Sequence, residues 1–284
     1  MSRQPSFSAS ERPATISEAL DRAVSALQAG RAAEAERLAG YVLTSNRGHA
    51  QAAQILGQAL LLQGRAAEAI GALQSAARRS RDPILETLLA RALAEVGRRD
   101  EALDQLRLAT TRRPPYPQAF LELGDQLGAA DQFDEAISVF EAGLALAPEA
   151  SVLRIGLGYI HLHRNDRARA RSLFAQVRAE APGRRDACVA LAAVLSLDGD
   201  YAAAAELYRQ ALELRPDDPS TRISLAKCLV ELGDRVVGEA VLRAASRTGG
   251  QAPGLAITAL AATARGRLFL RPSAASRFLS AGAA

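Results

Sequence analysis

Apolar residues along this chain recur with helical rather than strand periodicity, and the segments carrying them are punctuated at a fixed interval. In Phe120-Leu121-Glu122-Leu123-Gly124-Asp125-Gln126-Leu127, residues 120, 123 and 127 follow i, i+3, i+7 spacing and define one face of a helix. Beyond Asp131-Gln132-Phe133, a second stripe of Ala136, Ile137, Phe140 and Leu144 runs until Pro148. Proline ends it because it has no amide to donate and its ring clashes with the preceding turn. Between paired segments stand Gly30, Gly64, Gly97, Asp131, Asn165, Gly199 and Gly233, at steps of 34, 33, 34, 34, 34 and 34 residues. Such residues suit the left-handed C-cap that closes a helix. Five residues after each marker comes a small side chain, at Ala35, Ala69, Ala102, Ala136, Ala170, Ala204 and Gly238. Pro114, Pro148, Pro182 and Pro216 mark the other junction, again 34 apart. Three markers sharing one period predict a tandem helical hairpin.

A second row of small residues, Ala23, Gly57, Ala90, Gly124, Gly158, Ala192 and Ala226, falls on the first helices. The two rows would let paired backbones approach closely, since interaxial distance follows side-chain size at the contact. Composition agrees: 49% of residues are hydrophobic, only 4% aromatic, and tryptophan is absent. Few rings and much alanine favour helix–helix packing over a sheet.

Charge adds little. The net charge of +4 is carried almost wholly by arginine, Lys227 being the single lysine among 35 basic residues. Together with the abundant alanine, that pattern suggests a GC-rich bacterial genome. The arginine pairs at 78–79, 98–99, 112–113 and 184–185 fall at turns or helix ends rather than along one face, so nucleic acid is not the expected ligand. Cys188 and Cys228 sit in apolar helical patterns and give neither a disulfide framework nor zinc spacing. Residues 1–15 are polar, without an apolar core of a signal, and are expected to be disordered. No run is long and apolar enough to span a bilayer, so a cytoplasmic protein is expected.

The repeat resembles the tetratricopeptide repeat (TPR) family. The fourth unit fills that family's pattern with Phe120, Leu123-Gly124, Leu127, Ala136, Phe140 and Pro148. The sixth does so with Leu191, Leu195, Gly199-Asp200-Tyr201, Ala204, Tyr208, Ala211 and Pro216. The resemblance implies an all-α fold, a right-handed α-solenoid of about seven hairpins over residues 16–252. A C-terminal capping helix and apolar tail would occupy residues 253–284.

By the same resemblance, the first helices line a concave surface that holds a protein or peptide. Its candidate residues are Gln54, Gln58, Arg91, Asp125, Ile155, Tyr159, Leu162, His163, Val189 and Lys227. The lysine and asparagine set with which chaperone-binding members grip a C-terminal carboxylate is missing. The tail contributes Leu268, Phe269, Leu270, Phe278 and Leu279, which either cap the last hairpin, fill the groove or dock a partner.

Catalytic chemistry is not expected. His161 and His163 are two apart on a helix and do not share a face, so they do not form a chelate. No phosphate loop, nucleophile elbow or HExxH motif occurs, and no cofactor, metal or small-molecule substrate is called for. Asp217-Asp218 before Pro219 reads as helix-start chemistry. The expected function is a non-enzymatic scaffold or adaptor binding a partner in the groove. The alternatives are a recruiting subunit of a bacterial glycosylation, polysaccharide or surface-appendage system, and a helical-repeat RNA binder.

Overall fold

The computed structural model describes residues 13, 15–247, 252–263 and 272–280. Among them regular structure is helical, with no strand. The chain forms two compact units, residues 1–153 and 154–284. In unit 1 the helices are α1 (Ile16–Gln28), α2 (Ala32–Ser45), α3 (Ala50–Leu62), α4 (Ala66–Ser80), α5 (Pro83–Glu95), α6 (Arg99–Thr110), α7 (Pro117–Ala129) and α8 (Phe133–Leu146). The unit boundary falls within α9 (Ser151–His163). Unit 2 continues with α10 (Arg167–Glu180), α11 (Arg185–Leu197), α12 (Tyr201–Leu214), α13 (Pro219–Glu231), α14 (Arg235–Ser246), α15 (Ala252–Ala262) and α16 (Pro272–Ser280).

Each hairpin turn is closed by the punctuation residue. Gly30, Gly64, Gly97, Asp131, Asn165, Gly199 and Gly233 all have positive φ, between 59° and 95°. The next residue's amide then reaches back five positions to a helix carbonyl, as in Arg31→Ala26 at 2.8 Å, Gln132→Leu127 at 2.9 Å and Asp200→Leu195 at 2.9 Å. That bond satisfies one of the carbonyls a helix end leaves orphaned. Starts are capped by side chains: Thr15 accepts from the Glu18 amide at 3.1 Å, and Asp200 from the Ala203 amide at 3.1 Å. Asp218 caps α13 by accepting from the Thr221 amide at 3.0 Å. Burial opposes its charge, but Thr221's hydroxyl and amide, with Arg185 and Arg215, hold its carboxyl below the usual range.

The small residues mark where helices touch. Ala23, Ala90, Ala192 and Ala226 on the first helices are completely buried, as are Ala35, Ala69, Ala102, Ala136, Ala170 and Ala204 on the second. Where the first-helix position is glycine, a large side chain lies over it. A β-carbon on Gly124 would stand 2.4 Å from the Phe140 ring, and one on Gly57 2.6 Å from Leu73. The wholly buried Phe140 and Leu73 thus use the space that the missing β-carbons leave.

The hairpin links are not uniform. Four residues separate successive hairpins at 46–49, 147–150, 181–184 and 215–218, but only two at 81–82 and six at 111–116. The short link is made by Arg81 in the left-handed region (φ 53°, ψ 34°) followed by Asp82, which caps α5.

Unit 2 ends in two helices outside the period. Ala256, Leu260 and Leu279 join Ile223, Ala226, Leu242 and Ala245 in one buried cluster, with Phe278 packed against it. Arg243 lies 4.3 Å from the Phe278 ring centre and donates from Nε to the Phe278 carbonyl at 3.2 Å. Helices α15 and α16 therefore cover the apolar face of the last hairpin, the requirement that ends any repeat array.

Candidate functional site

In unit 1 the first helices pack side by side, α1 on α3, α3 on α5 and α5 on α7. Their shared face carries a pocket of about 400 Å3 lined by Leu27, Gln28, Gln58, Leu61, Leu62 and Arg91. Leu62 is 67% exposed, the most accessible leucine among the described residues. Burying such a side chain against a partner is worth about 1.5–3 kcal/mol. The pocket is apolar at one end and polar at the other, where Gln58 and Gln28 offer both amide donors and carbonyl acceptors.

Arg91 links the pocket to the next helix. Its Nε lies 3.8 Å from Oε1 of Glu122 on α7, and Gln118 donates to the same carboxylate oxygen at 3.0 Å. Asp125, three residues further along α7, is exposed as a residue, yet protein packs around its carboxyl closely enough to desolvate it. That desolvation, with the nearby Glu122 charge, pushes its carboxyl up to about 6. Burial likewise raises the Tyr116 phenol, assisted by Asp82 and Glu122 and opposed by Arg91. Gln54 is half-buried on α3. Unit 1 thus brings Gln58 and Arg91 together in one pocket, with Asp125 on the same row of helices.

The unit 2 candidates have a different character. Ile155 is only 8% exposed and belongs to the core cluster with Phe174, Leu191 and Leu195, so little of it remains for a partner. Leu162 and Val189 are half-buried against that cluster. Tyr159, at 40% exposure, keeps one face open while its ring rests on Phe174, centroids 5.2 Å apart and planes at 59°. Burial and the nearby Asp186 raise its phenol above the ordinary value. His163 is exposed and Lys227 half-buried. His161 is 5% exposed, with Nδ1 3.6 Å from Asp166 Oδ2, and serves the α9–α10 turn.

In the tail, Leu279 is buried in the terminal cluster and Phe278 packs against it, an arrangement that fits the capping alternative for these two residues. Leu268, Phe269 and Leu270 lie outside the described residues. Reasoning from sequence missed Leu27, Gln28, Glu122 and Tyr116. Leu27 and Gln28 occupy the same place in the first repeat that Leu61 and Leu62 hold in the second, so the period itself could have found them. Glu122 and Tyr116 carry no such signal.

A larger crevice of about 720 Å3 also opens in unit 1, between residues of α6 and α7. Its Arg107 is held by Asp104 and by Glu135 at 3.0 Å, so its charges largely satisfy one another. Among the described residues no group of acidic, histidine or cysteine side chains could hold a metal ion, and no helix is long and apolar enough to cross a membrane.

Comparisons with known proteins agree with this architecture. The tetratricopeptide repeat profile matches residues 128–195 and 195–261, and that of anaphase-promoting complex (cyclosome) subunit 3 matches residues 28–109. A small glutamine-rich tetratricopeptide repeat-containing protein 2 from Mycosarcoma maydis is 28% identical over 75 residues. That match covers 26% of this chain and only 21% of the relative. Among solved structures, a tetratricopeptide repeat protein from Parabacteroides merdae superposes with a TM-score of 0.64 at 15% identity, over 86% of this chain and 98% of its own. PilF of Pseudomonas aeruginosa gives a TM-score of 0.60 at 18% identity, over 72% and 96% respectively. At such identities the likeness concerns the fold.

Proposed function

This chain belongs to the tetratricopeptide repeat family, and from that premise we propose that it is a non-enzymatic docking protein whose unit 1 groove holds a segment of a partner protein. The fold is that of protein–protein interaction scaffolds generally. The observation that carries the finer reading is Leu62, two-thirds exposed beside Leu27 and Leu61 in a pocket of about 400 Å3. An apolar side chain of the partner would be seated there, with Gln58 and Gln28 hydrogen-bonding its backbone. Glu122 and Asp125 on the neighbouring helix oppose a polyanion, which argues against nucleic acid as the groove's ligand.

Panning a displayed peptide library on the full chain tests this. Selected peptides should share an apolar anchor and lose at least about tenfold in affinity against Leu62→Glu, as desolvating a carboxylate in the pocket requires. No enrichment, or binding indifferent to Leu62→Glu, would remove the groove from the account.

A further inference from the structure

We propose that unit 1 carries a second recognition site, separate from the groove, that binds a dianionic phosphate monoester. The site is a pocket of about 300 Å3 where the end of α4 meets α5 and α6, lined among others by Gln74, Arg78, Arg81, Gln105 and Arg112. At its wall Glu86 is 2% exposed and wholly engaged by Arg112, with Nη2 2.6 Å from Oε1 and Nε 3.1 Å from each carboxylate oxygen. That pair is electrically balanced, and it pins the Arg112 guanidinium in place.

Arg78 and Arg81 are not balanced in this way. Neither has a carboxylate within ion-pair distance among the described residues. Asp82, next in sequence, turns its Oδ1 to the Ile84 amide at 2.9 Å and does not line the pocket. The lining therefore presents two uncompensated positive charges with two glutamine amides between α4 and α6. A phosphate monoester carries about −1.5 to −2 charge at neutral pH and offers three acceptor oxygens. Guanidinium forks match those oxygens in pairs. A single carboxylate would supply half the charge.

Arg81 strengthens the assignment. Its φ of 53° places an arginine in the left-handed region that residues with a side chain rarely adopt. The other non-glycine residues at positive φ among those described are Asp131 and Asn165, whose short polar side chains tolerate that region. Arg78, in the last turn of α4, can be explained by the helix C-terminal dipole alone. Arg81 lies beyond the helix, in a backbone state that glycine would adopt more cheaply. The two-residue link at 81–82 is what brings it to the pocket.

The test uses the full chain, calorimetry, and two phosphate-bearing probes: a phosphoserine hexapeptide and glucose 6-phosphate. Acetate and the unphosphorylated peptide are the controls. At least one phosphate probe should bind where both controls do not, and the tighter of the two identifies a modified partner protein or a small metabolite as the source. Arg81→Gly keeps the left-handed backbone, so it should fold with an unreduced Tm yet lose about tenfold in affinity. Leu62→Glu should leave phosphate binding intact, which separates failure here from failure of the groove reading. Binding no tighter than acetate, or unchanged in Arg81→Gly, would overturn the site.

Discussion

Substituting alanine at two glycines of unit 1 should move stability in opposite directions, and the sign is set by what each missing β-carbon faces. A β-carbon on Gly124 would lie 2.4 Å from both Cε2 and Cζ of Phe140, where carbon atoms prefer about 3.5–4.0 Å. The ring must retreat by more than about 1 Å to restore that spacing, but Phe140 is wholly buried. The contact at Gly143 in the same helix is also close, since a β-carbon there would stand 2.8 Å from Leu153 and 2.9 Å from Phe120. Overpacking of this kind costs about 1–3 kcal/mol, against a gain in helix propensity of about 0.8–1 kcal/mol. A net loss of up to about 2 kcal/mol follows for Gly124→Ala, toward the upper end because the buried ring has little room to retreat. Gly71, inside α4, has nothing within 4 Å of its would-be β-carbon. Gly71→Ala should keep the propensity gain alone, about 0.5–1 kcal/mol. At roughly 2–4 °C per kcal/mol for a unit of this size, thermal unfolding followed by circular dichroism at the helical band resolves both shifts. If Gly124→Ala proves as stable as the parent, or if both variants move the same way, the close-packing account of the small residues is wrong.

Ala136 is completely buried at the same kind of contact, so Ala136→Leu should cost roughly 1–3 kcal/mol, and an unchanged Tm would count against the contact. Leu279 is 4% exposed in the cap cluster. Leu279→Ala should destabilise by about 2–3 kcal/mol and open α16 to proteolysis, whereas a silent variant would mean that α16 does not cap. The Asp125 carboxyl, at about 6 in the fold against 3.8 unperturbed, makes the native state the tighter proton binder. Stability should therefore fall as pH rises between those values. Asp125→Asn removes that penalty, giving about 1 kcal/mol at pH 7.5 once solvent screening is allowed for, and most of the gain should vanish near pH 4. An equal shift at both pH values would assign the effect to something other than titration.

The repeat was legible in sequence because its determinants are local. A left-handed turn residue, a small residue five places on and a proline at the next junction each answer to one backbone or steric demand, and all seven turn residues do have positive φ. The groove was legible only as a row of positions. Sequence spacing cannot tell that Ile155 is absorbed by its own core while Leu62 is left bare, because that depends on how neighbouring helices tilt over each position. Long-range ion pairs were hidden for the same reason. Glu86 with Arg112, 26 residues apart, ties α5 to the link that follows α6 in the same hairpin, Arg91 with Glu122 joins adjacent repeats, and neither follows a periodic rule.

One departure from the period was visible in sequence but misleading in size. The step from Gly64 to Gly97 is 33 residues, a loss of one. In the structure the α4–α5 link is two residues shorter than most others, and α4, at 15 residues, is one longer than α2 or α8. The deletion therefore falls in the link, and the added helical residue partly conceals it. Physically the difference matters. A missing helical residue would rotate every following side chain by about 100° and disrupt the packed face, whereas a shortened link only changes where α4 stops and α5 begins. The second helix can thus end at Ser80, with Arg81 taking the turn that a longer loop supplies elsewhere. Positions inside the repeat are committed to packing, which leaves a junction of this kind as the place where a side chain can be redirected without disturbing the packed faces. The unbalanced arginines stand at that junction.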